Sequence, residues 1–467
     1  MRIENLKKGC EFGMREWSFL WLTRGRRAML DEIAALQNEK LDLLRESRRL
    51  AALLPREMAE PEEKDSRKAS QEERGGELAA DSAELLPAAP YSRFPRLTAI
   101  DTRMRALAPP AFDERTTLSQ LAEHLRRYAA ARCGIYAPRS LYGCFLGAMA
   151  ASDFILLRTE KLITEKLTTE TGQSPLSLPA AAAQALGESL DITSVSSAWR
   201  GACDLLGQEN PLTKRYEETR FLELIYEAGW SGSPRFAALD HLTAAPAEGY
   251  LSRLLPLYAM LPGQEGPRSL QLAASQWPTD PRLLRQGALP LPPSLWLFGA
   301  LCPEEPAPSE RLCAAAMEFC LPPLSDKSFL VPWSEAVPLR AARLRELFAG
   351  AGEIYPLPEG MRRRYEQVER QLAEQLHCGT GASTGQLERF ISVGLACGLT
   401  SREAIDGFLY HKALRRLEYA DPSLLRFALP GLKASLLLIF DRRALPLSMG
   451  YLNGLSERAA KRLARTE

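Results

Sequence analysis

An acidic residue followed by a histidine ends a short apolar run near the middle of the chain. The run is Phe236-Ala-Ala-Leu239, and Asp240 and His241 follow it directly, before a polar turn and Pro246. This pattern predicts a buried strand that feeds a helix. In nucleotide-binding parallel sheets such a strand carries an Asp, usually followed by a Glu, toward a magnesium ion and a water. Asp240 is therefore a candidate magnesium ligand, and His241 stands where the Glu is expected.

Other residues capable of chemistry are scattered. The nine cysteines form no C-x-x-C pair and the four histidines lie far apart in sequence, so the sequence predicts neither a zinc site nor a disulfide framework. The segment Gly381-Ala-Ser383-Thr-Gly385 fits the nucleophile pattern of hydrolases, but that pattern requires a preceding strand. A helical pattern precedes it here, so we interpret it as a turn between two helices. A lone histidine at a strand end is more often structural than catalytic, and we interpret His241 in this way.

The composition excludes several classes of protein. The chain has 467 residues, of which 46% are apolar, enough for two or three domains. Its 59 basic and 58 acidic residues argue against bare nucleic acid as the main partner. We interpret basic pairs such as Arg415-Arg416 as solvated helix faces. With no run of about 18 apolar residues and no signal-peptide pattern, we expect no transmembrane segment and a cytoplasmic location.

The N-terminal residues 1–56 predict a helical arm. Apolar residues recur in it at heptad spacing, with polar breaks at Lys40 and Ser47. The seam comprises Met29, Ile33, Leu36, Lys40, Leu43, Ser47, Leu50 and Leu54. It fits either a coiled coil with a second copy or a partner, or one amphipathic helix packed on its own domain. Residues 57–90 are charged and free of aromatics, which is typical of a linker.

Short apolar runs alternate with helical patterns across residues 151–325, after a helical lead-in over 91–150. The predicted strands are Phe154 to Leu157, Ile192 to Val195, Phe236 to Asp240 and Leu295 to Phe298, and the predicted helices include Ala180 to Leu186 and Arg215 to Ala228. This alternation predicts an α/β fold, a three-layer sandwich around a mostly parallel sheet. Residues 262–294, rich in Pro and Gly, predict a long insertion with a hairpin.

Residues 326–467 predict an all-helical domain. Five segments there have apolar residues at helical spacing, separated by Gly or Pro. They are Ala341 to Ala349, Pro358 to His377, Thr384 to Cys397, Ser401 to Glu418 and Pro422 to Ile439.

Scattered pieces in a consistent order resemble bacterial AAA+ proteins of the McrB type, the motor subunits of modification-dependent restriction systems. In the α/β part these are Tyr91-Ser-Arg-Phe-Pro-Arg-Leu-Thr-Ala-Ile-Asp101, Ser197-Ala-Trp199-Arg200, Leu205-Leu-Gly207, Tyr216-Glu-Glu-Thr219, Leu239-Asp240, Trp277-Pro-Thr-Asp280-Pro281, Gly287 with Pro290, and Trp296-Leu-Phe-Gly299. In the helical part, Ala396-Cys397-Gly398-Leu-Thr400, Glu403-Ala404 and Lys412-Ala-Leu-Arg415-Arg-Leu-Glu418 resemble that family's lid. The resemblance covers roughly residues 91–440. It implies a ring that binds ATP or GTP with Mg²⁺ between subunits and drives a partner.

The phosphate-binding loop that the resemblance implies is degenerate. Such a loop, G-x-x-x-x-G-K-[ST], cradles phosphates with backbone N–H groups and a lysine. One alignment places Gly172, Gln173 and Ser174 at the Gly-Lys-Thr positions, and another uses Lys166, which lacks a following hydroxyl residue and a nearby glycine. Acidic residues between the strand and Ser174 would repel a triphosphate. These are Glu160, Glu165 and Glu170.

Four further positions that the resemblance implies are also altered. His241 replaces the water-activating Glu, and Cys302 lies where the fourth strand should end near an Asn. Ala315 lies in an alanine run at the expected acidic-Arg pair, and Gly379-Thr-Gly-Ala-Ser-Thr-Gly385 replaces an arginine that opens a lid helix. Losing one preorganised group costs about 3 to 4 kcal/mol of barrier, and an arginine finger is worth roughly 10³ to 10⁵ in rate. The changes together predict a fold without useful hydrolysis.

The sequence therefore predicts a catalytically inactive AAA+-like subunit with a structural or regulatory role. Its expected partners are copies of itself or paralogous AAA+ subunits, through ring faces and residues 29–54, together with a nuclease or effector. We expect no cofactor, although Asp240 remains a candidate metal ligand. Two alternatives stay open. One is an active ATPase that binds ATP or GTP with Mg²⁺ through non-standard residues, and the other is an adaptor that acts through its coiled coil alone.

Overall fold

The computed structural model describes residues 92–107, 110–159, 174–260, 268–302, 305–322, 334–376, 382–440 and 445–466. The predicted arm 1–56, its heptad seam and the linker 57–90 lie outside the described residues. The same holds for Lys166, Gly172 and Gln173 of the predicted phosphate loop.

The centre of the fold is a five-stranded parallel sheet with strand order β2-β5-β8-β1-β9. In chain order the described strands are β1 (Phe154–Thr159), β2 (Leu190–Ser194), β3 (Gly207–Glu209), β4 (Tyr216–Glu218), β5 (Arg235–Asp240), β6 (Ser269–Gln271), β7 (Ala288–Pro290), β8 (Leu295–Ala300) and β9 (Met317–Leu321). The central strands read as near-continuous apolar runs, as expected where both faces of a sheet are covered. Within the sheet Phe154 pairs with Leu297, and Ile155 pairs with Met317.

Side chains alternate between two buried clusters, one on each face of the sheet. Ile155 and Phe298 point into a cluster that contains α2, α3, α4 and the C-terminal helices, whereas Leu156, Leu239 and Leu297 point into a cluster with α1 and α6. The arrangement is mixed α/β and is compatible with a three-layer α/β domain. The described α-helices are α1 (Pro95–Ala106), α2 (Leu118–Cys133), α3 (Arg139–Ala151), α4 (Ser177–Ala185), α5 (Ala202–Leu206), α6 (Arg220–Trp230), α7 (Ala247–Tyr250), α8 (Leu255–Ala259), α9 (Glu310–Ala315), α10 (Ala341–Ile354), α11 (Glu359–Leu376), α12 (Thr384–Ala396), α13 (Ser401–Phe408), α14 (Pro422–Phe440) and α15 (Pro446–Thr466).

Local sequence accounts for several helix starts. Thr117, Ser383 and Thr400 each accept a hydrogen bond from the backbone N–H three residues later, and the Gln or Glu at that position bonds back to the cap. These capping boxes satisfy N–H groups that the first helical turn leaves unpaired. They begin α12 and α13 at the predicted residues, Thr384 and Ser401, and α2 within the predicted helical lead-in.

Two of the predicted elements differ from the structure. The helix predicted from Arg215 begins at Arg220 instead, because Tyr216–Glu218 forms β4, which pairs antiparallel with β3. The helix predicted from Ser401 to Glu418 ends at Phe408 and continues as a π-helical turn (Leu409–Ala413) and a 3₁₀ turn (Arg415–Tyr419). The hairpin predicted within 262–294 is confirmed by the antiparallel pair β6 and β7.

Helix α14 is unusually apolar. Its buried stripe comprises Leu425, Leu429, Leu432, Leu436 and Phe440, and only 28% of its most apolar window is buried. Among the described residues it is the one helix long and apolar enough to cross a membrane. Helices that line a protein core meet the same criterion, so the predicted absence of a transmembrane segment stays a prediction.

Candidate functional site

The candidate site lies at the carboxyl edge of the sheet. Because β8 lies between β5 and β1, the ends of these three strands are adjacent, and ligands of open α/β sheets bind outside the carboxyl ends of the strands. A cavity of about 530 Å³ lies at this edge. It is lined by Arg158 and Thr159 at the end of β1, by Cys302 and Glu305 after β8, and by residues of the helical part.

Asp240, His241 and Cys302 come together at this edge. One potential ligand atom from each lies within 4.8 Å of the others. The Cys302 Sγ is 3.3 Å from the His241 Nδ1, and the Asp240 Oδ1 accepts a hydrogen bond of 3.1 Å from the His241 backbone N–H. The candidate metal ligand Asp240 and two of the altered positions, His241 and Cys302, therefore form one cluster.

Glu305 completes the surroundings of His241. Its Oε1 lies 2.7 Å from the His241 Nδ1, and its Oε2 accepts hydrogen bonds from the Thr243 N–H at 3.2 Å and the Thr243 hydroxyl at 2.9 Å. The hydrogen bond to Glu305 raises the pKa of His241, and Asp240 acts in the same direction. The Nδ1 is engaged with a carboxylate, so the Nε2 is the ring nitrogen left to accept a proton, and an imidazole stands in place of the water-activating Glu.

Arg158, at the end of β1, is held in a buried ion-pair network. Its Nη2 donates to the Glu318 Oε2 at 2.7 Å, and its Nη1 donates to Glu418, which follows α13 in the helical part. The Glu318 side chain is 1% exposed. The network ties β1, β9 and the helical part together beside the cavity.

Ala315 lies elsewhere, buried in α9. The carbonyl oxygens of its neighbours Cys313 and Ala316 accept hydrogen bonds from the buried Lys412 Nζ at 2.5 and 2.7 Å. Burial lowers the pKa of this lysine. The segment that the resemblance aligns with an acidic-Arg pair therefore packs against the helical part through a lysine and backbone carbonyls.

Ser174 is the one predicted phosphate-loop residue that the structure describes. Its hydroxyl accepts a hydrogen bond of 3.2 Å from the Leu176 N–H, just before α4. Strand β1 is followed along the chain by α4, which is the strand and helix order on either side of a phosphate-binding loop; residues 160–173 lie outside the described part of the chain.

Ser383 caps α12, accepting a hydrogen bond from the Gln386 N–H at 3.2 Å. Among the described residues, the element before Ser383 is the helix α11 and the element after it is α12, which agrees with the interpretation of this serine as part of a connection between two helices. The prediction of a solvated face is wrong for Arg415, which is 1% exposed. Its guanidinium lies over the rings of Tyr410 and Tyr451, 4.1 and 4.2 Å from their centroids.

Four residues at this edge were not predicted as site residues from the sequence: Arg158, Glu305, Glu318 and Glu418. Glu318 had a readable sequence signal, since a lone acid inside the apolar run of β9 requires a buried partner. Glu305 had none, because its partners lie about 60 residues earlier in the chain.

A comparison with protein-family models finds no match, and a comparison with curated proteins finds no significant match. The parallel α/β sheet fits a nucleotide-binding fold in general.

Proposed function

We propose that this chain is a catalytically inactive AAA+-like subunit with a structural or regulatory role. Three arrangements support the proposal. Strand β1 precedes Ser174 and α4 in the chain, Asp240 ends β5 at the same edge of the sheet, and the helical part packs beside this carboxyl edge as a lid would. Of the motifs that carry the McrB-type resemblance, Leu239-Asp240 lies on β5 and those between Ala396 and Glu418 lie in the helical part.

The residue at position 241 is the main observation that favours a protein without hydrolytic activity. Where hydrolysis needs a carboxylate that activates water, the chain has His241, whose Nδ1 lies 2.7 Å from Glu305. A general base must have a free acceptor atom within hydrogen-bond reach of the attacking water. Glu305, which Thr243 holds in place, engages the Nδ1, so the acceptor atom left at this position is the Nε2 of an imidazole and not a carboxylate oxygen.

The described residues of the cavity do not fit a magnesium triphosphate. Three arginines and three carboxylates line it: Arg158, Arg458, Arg462, Glu305, Glu418 and Asp421. Arg158 is already paired with Glu318 and Glu418. Because the three positive and three negative charges of the lining balance and Glu418 pairs with both Arg158 and Arg458, a triphosphate there would gain little net attraction.

The proposed partners follow from the same reading. A subunit that keeps the fold without the chemistry acts by occupying a place in an assembly, either with copies of itself or with paralogous active subunits. A nuclease or effector would be the assembly's client. The heptad seam of residues 29–54, outside the described residues, is the proposed self-association segment.

The cavity also favours a second candidate, an active nucleotide-binding protein with non-standard residues. Its position at the carboxyl edge is where ligands bind in open α/β sheets, and its volume of about 530 Å³ is sufficient for a small ligand. In that reading Arg458 and Arg462 would contact phosphates, and Asp240 would contact the metal.

Phosphate release from ATP and GTP with Mg²⁺ separates the two candidates. We expect no release above buffer from the purified full chain, and none from His241→Glu, because restoring one group does not restore the glycine-lysine cradle. Magnesium-dependent release by the unmodified chain, lost in Asp240→Asn, would establish the second candidate instead.

A further inference from the structure

We propose that Asp240, His241 and Cys302 form a binding site for a divalent transition metal ion, with zinc as the ion that fits best. The site does not depend on nucleotide binding or on the proposed subunit role. It combines one carboxylate, one imidazole and one thiol from the ends of two adjacent strands, β5 and β8.

The distances suit a tetrahedral ion. Zinc lies about 2.0 to 2.1 Å from histidine nitrogen and about 2.3 Å from cysteine sulfur, so two such ligands at the tetrahedral angle are about 3.6 Å apart. The Cys302 Sγ and the His241 Nδ1 are 3.3 Å apart. Potential ligand atoms of all three residues lie within 4.8 Å of one another, so small side-chain movements bring them onto one ion.

Glu305 lies beside His241 but outside the group of three, and in the proposed site a movement of its side chain makes it the fourth ligand. Its Oε1 lies 2.7 Å from the His241 Nδ1, whereas a nitrogen and an oxygen bound to one tetrahedral zinc are about 3.4 Å apart. An ion between the two groups would replace their hydrogen bond with two coordinate bonds, and the Nδ1 proton would leave to solvent from the imidazolium or be replaced by one on Nε2 in the neutral ring. The Thr243 hydroxyl and N–H would keep the other carboxylate oxygen in place, as outer-shell partners do for metal ligands.

The backbone holds the two ligand-bearing segments together. The Leu242 N–H donates a hydrogen bond of 3.0 Å to the Ala300 carbonyl. Leu242 directly follows His241, and Ala300 lies two residues before Cys302. The His241 side chain is 55% exposed, so an ion can enter from solvent.

The donor set selects the ion. Soft thiolate and imidazole ligands favour zinc over magnesium, which prefers an octahedral shell of oxygen atoms and keeps its waters. Zinc binding would displace the Cys302 thiol proton to solvent, because the ligand is the thiolate. Asp240 was a candidate magnesium ligand from its sequence position, but beside an imidazole and a thiol it fits a zinc site better.

Zinc and cobalt(II) titrations of the chelator-treated full chain test the site. We expect one equivalent of ion to bind, with the visible absorption of a tetrahedral cobalt–thiolate centre. Because changes in the outer shell of a metal site already cost about 10- to 100-fold in affinity, losing the ligand in Cys302→Ser should cost at least as much. Cys203→Ser, which removes an exposed cysteine on α5, should bind like the unmodified chain.

Two results would overturn the proposal. One is the absence of saturable binding at micromolar zinc, and the other is equal affinity in Cys302→Ser and the unmodified chain. Melting curves of both metal-free proteins show whether Cys302→Ser is folded, and Asp240→Asn provides an independent variant that should also bind less tightly. No nucleotide is present, so the outcome is separate from that of the proposed function.

Discussion

The Arg158 Nη2 donates to the Glu318 Oε2 at 2.7 Å, with the arginine side chain 8% exposed and the glutamate 1% exposed. The pair joins the end of β1 to β9 at the edge where a phosphate-binding loop would begin. The guanidinium charge of Arg158 is therefore balanced by a buried carboxylate of the protein itself and not by a ligand.

Breaking this pair should destabilise the fold. Arg158→Met leaves Glu318 buried without its partner, and removing one partner of a buried pair costs about 3 to 5 kcal/mol. The double variant Arg158→Met/Glu318→Met should recover part of the loss. Urea unfolding measures both. Arg343→Met serves as a matched control, because its pair with Glu346 is partly exposed and should be worth less than about 1 kcal/mol. Equal effects at Arg158 and Arg343 would contradict this prediction.

His411 should make the fold sensitive to mild acid. Burial, with a further contribution from Arg415, lowers the pKa of His411, whose Nδ1 accepts a hydrogen bond of 3.2 Å from the Cys320 N–H. The unfolded chain takes up this proton below about pH 6.5, whereas the folded chain does not. The free energy of unfolding should therefore fall as the pH decreases below 6.5, by up to about 1.4 kcal/mol per unit.

His411→Asn provides the comparison for that titration. An amide oxygen can accept the Cys320 bond but has no proton to take up in this range. The variant loses the stacking on Phe319, whose ring centroid is 4.1 Å away, so its stability should be lower at pH 8. Its unfolding free energy should then depend less on pH between 6.5 and 5. Parallel curves for the two proteins would show that His411 is not the cause.

Asp406 should fix the start of α15. Its two carboxylate oxygens accept hydrogen bonds from the Leu447 N–H at 2.8 Å and the Ser448 N–H at 2.9 Å. Losing a capping acceptor costs about 0.5 to 2 kcal/mol, so Asp406→Ala should be destabilised by this amount and α15 should exchange amide hydrogens faster. Asp406→Asn, which keeps one acceptor oxygen, should be intermediate. Unchanged exchange in α15 would mean that side-chain packing alone holds the helix.

The strands that could be predicted from the sequence are those marked by a local pattern of apolar residues. Phe154 to Leu157 and Phe236 to Asp240 are short apolar runs bounded by polar turns, and both are strands of the parallel sheet. Strand β9 was missed because Glu318 interrupts its apolar run, and the partner that makes this acid tolerable, Arg158, lies 160 residues earlier. Such long-range compensation cannot be read from a local pattern.

The site residues likewise divide into those that a local pattern identifies and those whose contacts depend on the fold. Asp240 and His241 were identified because they directly follow a predicted strand. Cys302 was identified as a degenerate position through the family resemblance, but its contact with His241 depends on β8 lying beside β5. Glu305 depends on the path of the chain after β8, for which the sequence offers no rule.

The most direct measurement of the central claim is the melting temperature of the full chain with and without ATP or GTP and Mg²⁺. A ligand at a hundredfold excess over its dissociation constant adds about 2.7 kcal/mol of stability, which is readily measured. If the chain is an inactive AAA+-like subunit, we expect no change in melting temperature at millimolar nucleotide, because His241 and the paired charges at the carboxyl edge do not fit a magnesium triphosphate. A clear upward shift that requires Mg²⁺ and disappears in Asp240→Asn would contradict it.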